Sequence, residues 1–155
     1  MKKKLIVMAE KEEMKLLEKL DMPDLIGVSV LITGVGGLNI IESLRGVPYD
    51  TEIINIGYAG SNNLEGGKFY SVQNSTLFHP NVDYPEPDFN CKIDLNYPVA
   101  DCYTSCDFVT SDQKDCLFDM ELAFINAMCF RTVRSYKYVS DHCNYEEYKK
   151  TLYEE

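Results

Sequence analysis

The chain has 155 residues, enough for one domain around a single core and too few for two. With 45% apolar and 26% charged residues it has the composition of a globular protein rather than of a disordered or fibrous one. The formal charge is -10, and only Arg45, Arg131 and Arg134 supply guanidinium groups, which excludes a nucleic-acid groove built on clustered cations.

The opening "MKKKLIVMAEKEE" has the cationic start of an export signal, but its apolar stretch, Leu5 to Ala9, is interrupted by Glu10 far short of a membrane-inserting length. A cytoplasmic protein with no membrane contact is therefore expected. "KLIVMA" reads as a buried strand, and "EKEEMKLLEKL" as a helix whose apolar positions are Met14, Leu17 and Leu20. "VSVLITGVGG" is a second strand running into glycines. "LNIIESLRG" follows as a helix with Leu38, Ile41 and Leu44 on its apolar face and Gly46 at its stop. "TEIINIGYAGS" is a third strand, delivered into a loop of small residues.

"GGKFYSVQNSTLF" reads as one or two extended segments. "HPNVDYPEPDFNCKIDLNYP", with four of the six prolines, reads as an irregular surface excursion. "VADCYTSCDFVT" regains strand character, "LFDMELAFINAMCF" reads as a helix beginning near Asp119, "VRSYKYVSD" as a last strand and "YEEYKKTLYEE" as a terminal helix. Strands alternating with helices define a single α/β domain over residues 1–155, with a mostly parallel central sheet flanked by helices. The six cysteines lack zinc-ribbon spacing, and His79 and His142 form no ligand cluster, so no metal is expected. Cys102 and Cys106 are spaced for a metal or a disulfide, but free buried thiols fit a chain without an export signal.

In an open parallel sheet, ligands bind beyond the carboxyl ends of the strands. The loops expected there carry Glu10, Glu12 and Glu13, then Thr33 with three glycines, then Gly57 to Ser61, then Asp107 and Phe108, and last Ser140, Asp141 and His142. Each has a plain structural alternative. The glycines are also what a strand-to-helix turn needs, Glu13 can be a solvated charge on a first helical turn, and Asp141 can be a helix cap. Glu121 stands apart, because apolar residues surround it on nearly every side of its helix. It turns to solvent, gains from the helix dipole, or meets a polar partner in a pocket.

Five separated pieces, in order, resemble the nucleoside phosphorylase and nucleosidase superfamily, most closely its 5'-methylthioadenosine/S-adenosylhomocysteine nucleosidases. They are "IVMAEKEEMKLL", "LITGVGGLN", "INIGYAGS", "TSCDFV" and "FDMELAFINAMC" leading to "YKYVSDH". The specific elements are the Met-Glu pair, Met120 and Glu121, and the Ser-Asp pair, Ser140 and Asp141.

The resemblance implies a purine nucleosidase that cleaves an N-glycosidic bond without a cofactor. Asp141 would assist departure of the base at N7, Ser140 would hold Asp141, and Glu13 would activate water. Glu121 would grip the ribose hydroxyls with Met120 against the sugar, Phe108 would stack on the base, and Ala59, Gly60 and Thr33 would line the same cleft. A phosphorylase is the alternative, but the arginine loops that such enzymes use for phosphate have no counterpart here. The resemblance also implies a homo-oligomer, a dimer first of all, and a chain shortened after Gly60, between Phe108 and Asp119, and at its end. That contraction keeps open a catalytically impaired nucleoside-binding or scaffold protein of the same fold.

Overall fold

A computed structural model describes residues 3–78, 87–106, 108 and 112–154. Eight strands, β1 (Lys4–Met8), β2 (Ser29–Ile32), β3 (Glu52–Gly60), β4 (Phe69–Leu77), β5 (Asp88–Asn90), β6 (Val99–Thr104), β7 (Cys116–Asp119) and β8 (Thr132–Asp141), form one sheet. The helices are α1 (Leu16–Lys19), α2 (Gly37–Leu44), α3 (Leu122–Ala127) and α4 (Tyr145–Glu154), with 3-10 turns at Lys11–Lys15 and Pro23–Leu25.

The sheet is mixed. β1 pairs in parallel with β2 and β3, β3 with β8, β4 with β6 and β6 with β7. The β3–β7, β4–β5 and β4–β8 pairings are antiparallel. The sheet is also not fully open: β3, β8, β4, β6 and β7 pair in a ring that returns to β3 through Gly60 and Phe118. Closure removes strand edges and brings distant strand ends together.

All nine residues of β3 are buried, because both sheet faces are covered. Alternation sends Val7 and Ile53 to one apolar cluster with Ile40, Leu44, Leu122 and Ile125, and sends Ile6 and Ile54 to another with Leu16 and Tyr136. Each fully buried aliphatic side chain contributes roughly 1.5–3 kcal/mol relative to exposure.

Three local readings change. The run "LFDMELAFINAMCF" is not one helix: Cys116–Asp119 is strand β7, and α3 starts only at Leu122. The first helical segment buries Glu13, Leu16 and Leu20, while Met14 is exposed. On α2 the buried face is Ile40 and Leu44, with Leu38 and Ile41 outward. Each of these two helices has two apolar faces, and only docking decides which one the sheet takes. The proline-rich excursion contains the short strand β5, paired with β4; residues 79–86 lie outside the described residues, as does Asp107.

Candidate active site

Ring closure places the carboxyl ends of β3, β7 and β8 side by side. Gly60 pairs with Phe118 on one flank and with Asp141 on the other. Between Ala59 and Gly60 the β3–β8 register shifts: Ala59 faces Val139 and Gly60 faces Asp141, so Ser140 is the extra residue of a bulge. A cavity of about 50 Å³ lies at this junction, lined by Glu13, Glu121, Asp119 and Asp141 together with Phe108 and Tyr148 among others. That volume holds a few waters.

Glu13 reaches the cavity from the 3-10 turn after β1. Its Oε1 accepts the amides of Ala9 (3.0 Å) and Glu10 (2.9 Å), and its Oε2 accepts that of Tyr58 (2.8 Å). It is therefore a buried carboxylate fixed by three backbone donors, not a solvated charge. Burial pushes its proton affinity up, while Lys137 and the amides oppose that shift. The position is available because residue 57 is glycine. A Cβ there would sit 2.7 Å from Glu13 Oε2 and 3.5 Å from Lys137 Nζ, which also brings those two charged groups within about 6 Å of each other.

Asp119 and Lys137 form a pair withdrawn from water, Nζ to Oδ2 3.0 Å, with side chains 0% and 1% exposed. Asp119 also accepts the Thr104 hydroxyl and the Leu122 amide (2.8 Å), and Thr104 Oγ1 accepts the Ala123 amide (3.0 Å). The start of α3 is thus capped from β6 and β7, which frees the side chain of Glu121. Glu121 turns to the cavity and accepts the Gly36 amide at 2.9 Å. Burial first, and then the neighbouring Asp119, raise its pKa from 4.5 to about 8.

Asp141 accepts the Ser140 hydroxyl (2.6 Å) on Oδ1 and the Asn144 amide (3.1 Å) on Oδ2. The cap of α4 is Asn144, whose Oδ1 accepts the Glu147 amide at 3.1 Å, so Asp141 is not spent on the helix. Burial raises the pKa of Asp141, against the hydrogen bonds that lower it. A Cβ on Gly60 would approach Asp141 Oδ2 to 2.9 Å, so this second β3 glycine, like Gly57, vacates space for an acid.

The mouth is aromatic. Phe108 stacks on Tyr145 (centroids 5.4 Å) and leans on Tyr148 (5.7 Å). Tyr148 donates to Glu10 (3.3 Å), and Lys15 holds α4 down by donating to the carbonyls of Thr151 (2.8 Å) and Leu152 (3.0 Å).

Of the residues singled out from sequence, Glu13, Glu121 and Asp141 line the cavity with Phe108 and Met120, and Ala59 and Gly60 form its floor. Two do not. Ser140 stands behind Asp141, and the Thr33 hydroxyl is turned onto its own loop, donating to the Gly34 carbonyl at 2.8 Å. Sequence reasoning passed over Lys137, Asp119 and Tyr148. Lys137 carried a signal: an ammonium amid the strand residues "SYKYV" has to be partnered. Among the described residues no group of three His, Cys, Asp or Glu is arranged to hold a metal ion.

No family model and no curated protein matches the sequence. Solved structures do match in three dimensions. The chain superposes on MTAN of Chlamydia trachomatis with a TM-score of 0.78 at 20% identity, covering 98% of this chain and 90% of that one. It superposes on futalosine hydrolase of Helicobacter pylori with a TM-score of 0.74 at 15% identity, covering 97% and 91%. The 5'-methylthioadenosine/S-adenosylhomocysteine nucleosidase of S. pneumoniae, solved with the transition-state inhibitor MT-ImmA, gives 0.74 at 16% identity, covering 97% and 91%. The chlamydial protein has also been solved bound to adenine, and a single-residue variant of it bound to MTA. The chain therefore has the nucleosidase fold, an α/β domain with a central mixed sheet flanked by helices. About a tenth of each neighbour has no counterpart, in keeping with a shorter chain.

Proposed function

We propose that the protein is a hydrolase that cleaves the N-glycosidic bond of a purine nucleoside such as methylthioadenosine or S-adenosylhomocysteine. The observation that carries this reading is the meeting of Glu13, Glu121 and Asp141, from three distant parts of the chain, in one cavity with an aromatic mouth.

In this reading the base stacks on Phe108 and the ribose lies against Met120, with its hydroxyls on Glu121. Asp141, whose raised proton affinity suits an acid, delivers a proton to N7 as the bond to C1' breaks, and Ser140 keeps its carboxyl in place. Glu13 takes a proton from the water that adds to C1', and Lys137, within about 6 Å, favours the ionised form this requires. The products are the free base and the ribose that keeps its 5' substituent, and the proton gained by Glu13 balances the one lost by Asp141.

Water is the nucleophile in this reading, because among the described residues no lysine or arginine lines the cavity and Lys137, behind its wall, is already paired with Asp119. In this reading a second copy of the chain packs against Ile32, Val35, Leu38 and Ile41; their exposures of 38%, 36%, 83% and 48% support it, as does Val35, which also lines the cavity so that a partner there would extend its wall. Six free cysteines, four of them buried, suit a reducing cytoplasm.

The test is free-base release from methylthioadenosine, S-adenosylhomocysteine, inosine and adenosine, with and without phosphate. Turnover indifferent to phosphate and reduced at least ~10²-fold in Glu13→Gln and Asp141→Asn supports the hydrolase. A phosphate requirement makes it a phosphorylase, saturable binding without turnover makes it a binding protein, and no response to any nucleoside ends the reading.

A further inference from the structure

We infer that Lys15 is a positioning residue for the reaction: it clamps the turn that carries Glu13 to the last turn of α4, and through α4 it fixes the bulge that carries Asp141. The inference rests on the reading of the cavity as a nucleosidase site, and names a residue outside its wall on which the two proton-transferring carboxylates depend.

Lys15 ends the 3-10 turn in which Glu13 lies, and its Nζ donates to the carbonyls of Thr151 (2.8 Å) and Leu152 (3.0 Å). Those carbonyls belong to the last turn of α4, where helical carbonyls find no amide partner within the helix and form the negative end of its dipole. The ammonium also lies 6.0 Å from the centre of the Tyr58 ring, and the Tyr58 amide donates to Glu13 Oε2 (2.8 Å). One turn earlier on α4 the Tyr148 hydroxyl donates to Glu10 (3.3 Å), whose amide donates to Glu13 Oε1 (2.9 Å). The same helix holds Asp141. The Thr151 hydroxyl donates to the Ser140 carbonyl (3.0 Å), and the amide of Asn144, which caps α4, donates to Asp141 Oδ2 (3.1 Å).

β1 and β8 each pair with β3 and not with each other, so the loop after β1 and the end of β8 are bridged by α4, its start on Asp141 and its end on Lys15. In the proposed reaction one carboxylate serves the attacking water and the other the departing base, and a misplacement of about 1 Å between such groups costs on the order of 10² in rate. Lys137 is the cation that lowers the proton affinity of Glu13, which leaves Lys15 a part in place rather than in charge.

The experiment measures kcat and KM for adenine release from methylthioadenosine, across pH and per folded molecule, in Lys15→Met, Lys15→Arg and Thr151→Val. Lys15→Met should lower kcat about tenfold or more while KM moves less than about twofold, because Phe108, Met120 and Glu121, which hold the nucleoside, lie on other segments. The pH profile should lose height and keep its limbs. Lys15→Arg, which can still donate to both carbonyls, should recover most of the rate. Thr151→Val should lower kcat alone, and add little on top of Lys15→Met, as two parts of one link do. Independently of turnover, the Glu10 and Asn144 amides should exchange faster in Lys15→Met, while the Gly36 amide, bound to Glu121, keeps its rate. Unchanged kcat, shifted limbs, additive losses, or unchanged exchange at Glu10 and Asn144 overturn the positioning role while leaving an active nucleosidase standing. A parent protein that releases no base overturns the nucleosidase reading, and the role of Lys15 in it.

Discussion

Gly57 and Glu13 share one space: the Cβ that Gly57 lacks would lie 2.7 Å from Glu13 Oε2. A carboxylate from the first loop is thereby seated against the middle of the longest-buried strand, where the Tyr58 amide binds it at 2.8 Å. Gly57→Ala should keep the fold, because its backbone is an ordinary strand residue, but displace Glu13. We expect kcat for base release to fall on the order of 10²-fold with little change in KM. An unchanged kcat in a folded Gly57→Ala protein contradicts the placement of Glu13.

The Lys137–Asp119 pair tests how far burial has committed the charges. Burial alone would push the Asp119 carboxyl up, yet Lys137 and the donors Thr104 and Leu122 hold it below the ordinary range. Lys137→Met leaves a buried carboxylate unpaired and should cost about 3–5 kcal/mol in urea unfolding. Adding Asp119→Asn should restore part of that loss, since the coupled residues are not additive. Two independent, additive losses would show that the pair does not interact.

Glu121 makes a pH prediction with a defined sign. Its pKa is raised from 4.5 to about 8 by burial and by Asp119, so between those values the folded protein keeps a proton that the unfolded chain has released. Stability from this group is full below the lower value and is lost as pH rises towards 8. Glu121→Gln carries no such titration. Its melting temperature relative to the parent should climb across that window, by at least a few degrees (~2–4 °C per kcal/mol for a domain of this size). A difference that does not vary with pH refutes the raised value.

The exposed pair Leu38 and Ile41 bears on assembly. Leu38→Glu with Ile41→Glu should convert a dimer to a monomer in equilibrium sedimentation while the circular dichroism spectrum is retained, because neither side chain belongs to the core. A monomeric parent protein removes the proposed interface.

The strands of this protein were easier to read than its helices. β1 and β3 are apolar runs, and any docking of the sheet buries them. The short helical segments are amphipathic in two directions. Leu38 and Ile41 keep helical spacing as well as Ile40 and Leu44 do, and only contact with the sheet chooses between them. Residues 117–121 misled for a related reason. Leu, Phe, Met and Glu suit a helix locally, but pairing of Cys116–Asp119 with Asp101–Thr104 on β6 draws Leu117 to Asp119 into a strand and leaves Glu121 as the cap of α3.

Sequence by itself determined the α/β class, the single domain, the acidic surface without a cation groove, and which carboxylates were worth following. Those properties are carried by composition and by short-range periodicity. Tertiary structure decided that the β3–β8 register shifts by one residue at Gly60, that β7 closes the ring there, and that Lys137 lies behind the acids. It also decided that Ser140 and Thr33 stand off the cavity while Tyr148 joins it. Each of these depends on pairing between segments tens of residues apart, where a shift of one position exchanges inward for outward side chains and no local pattern records the choice.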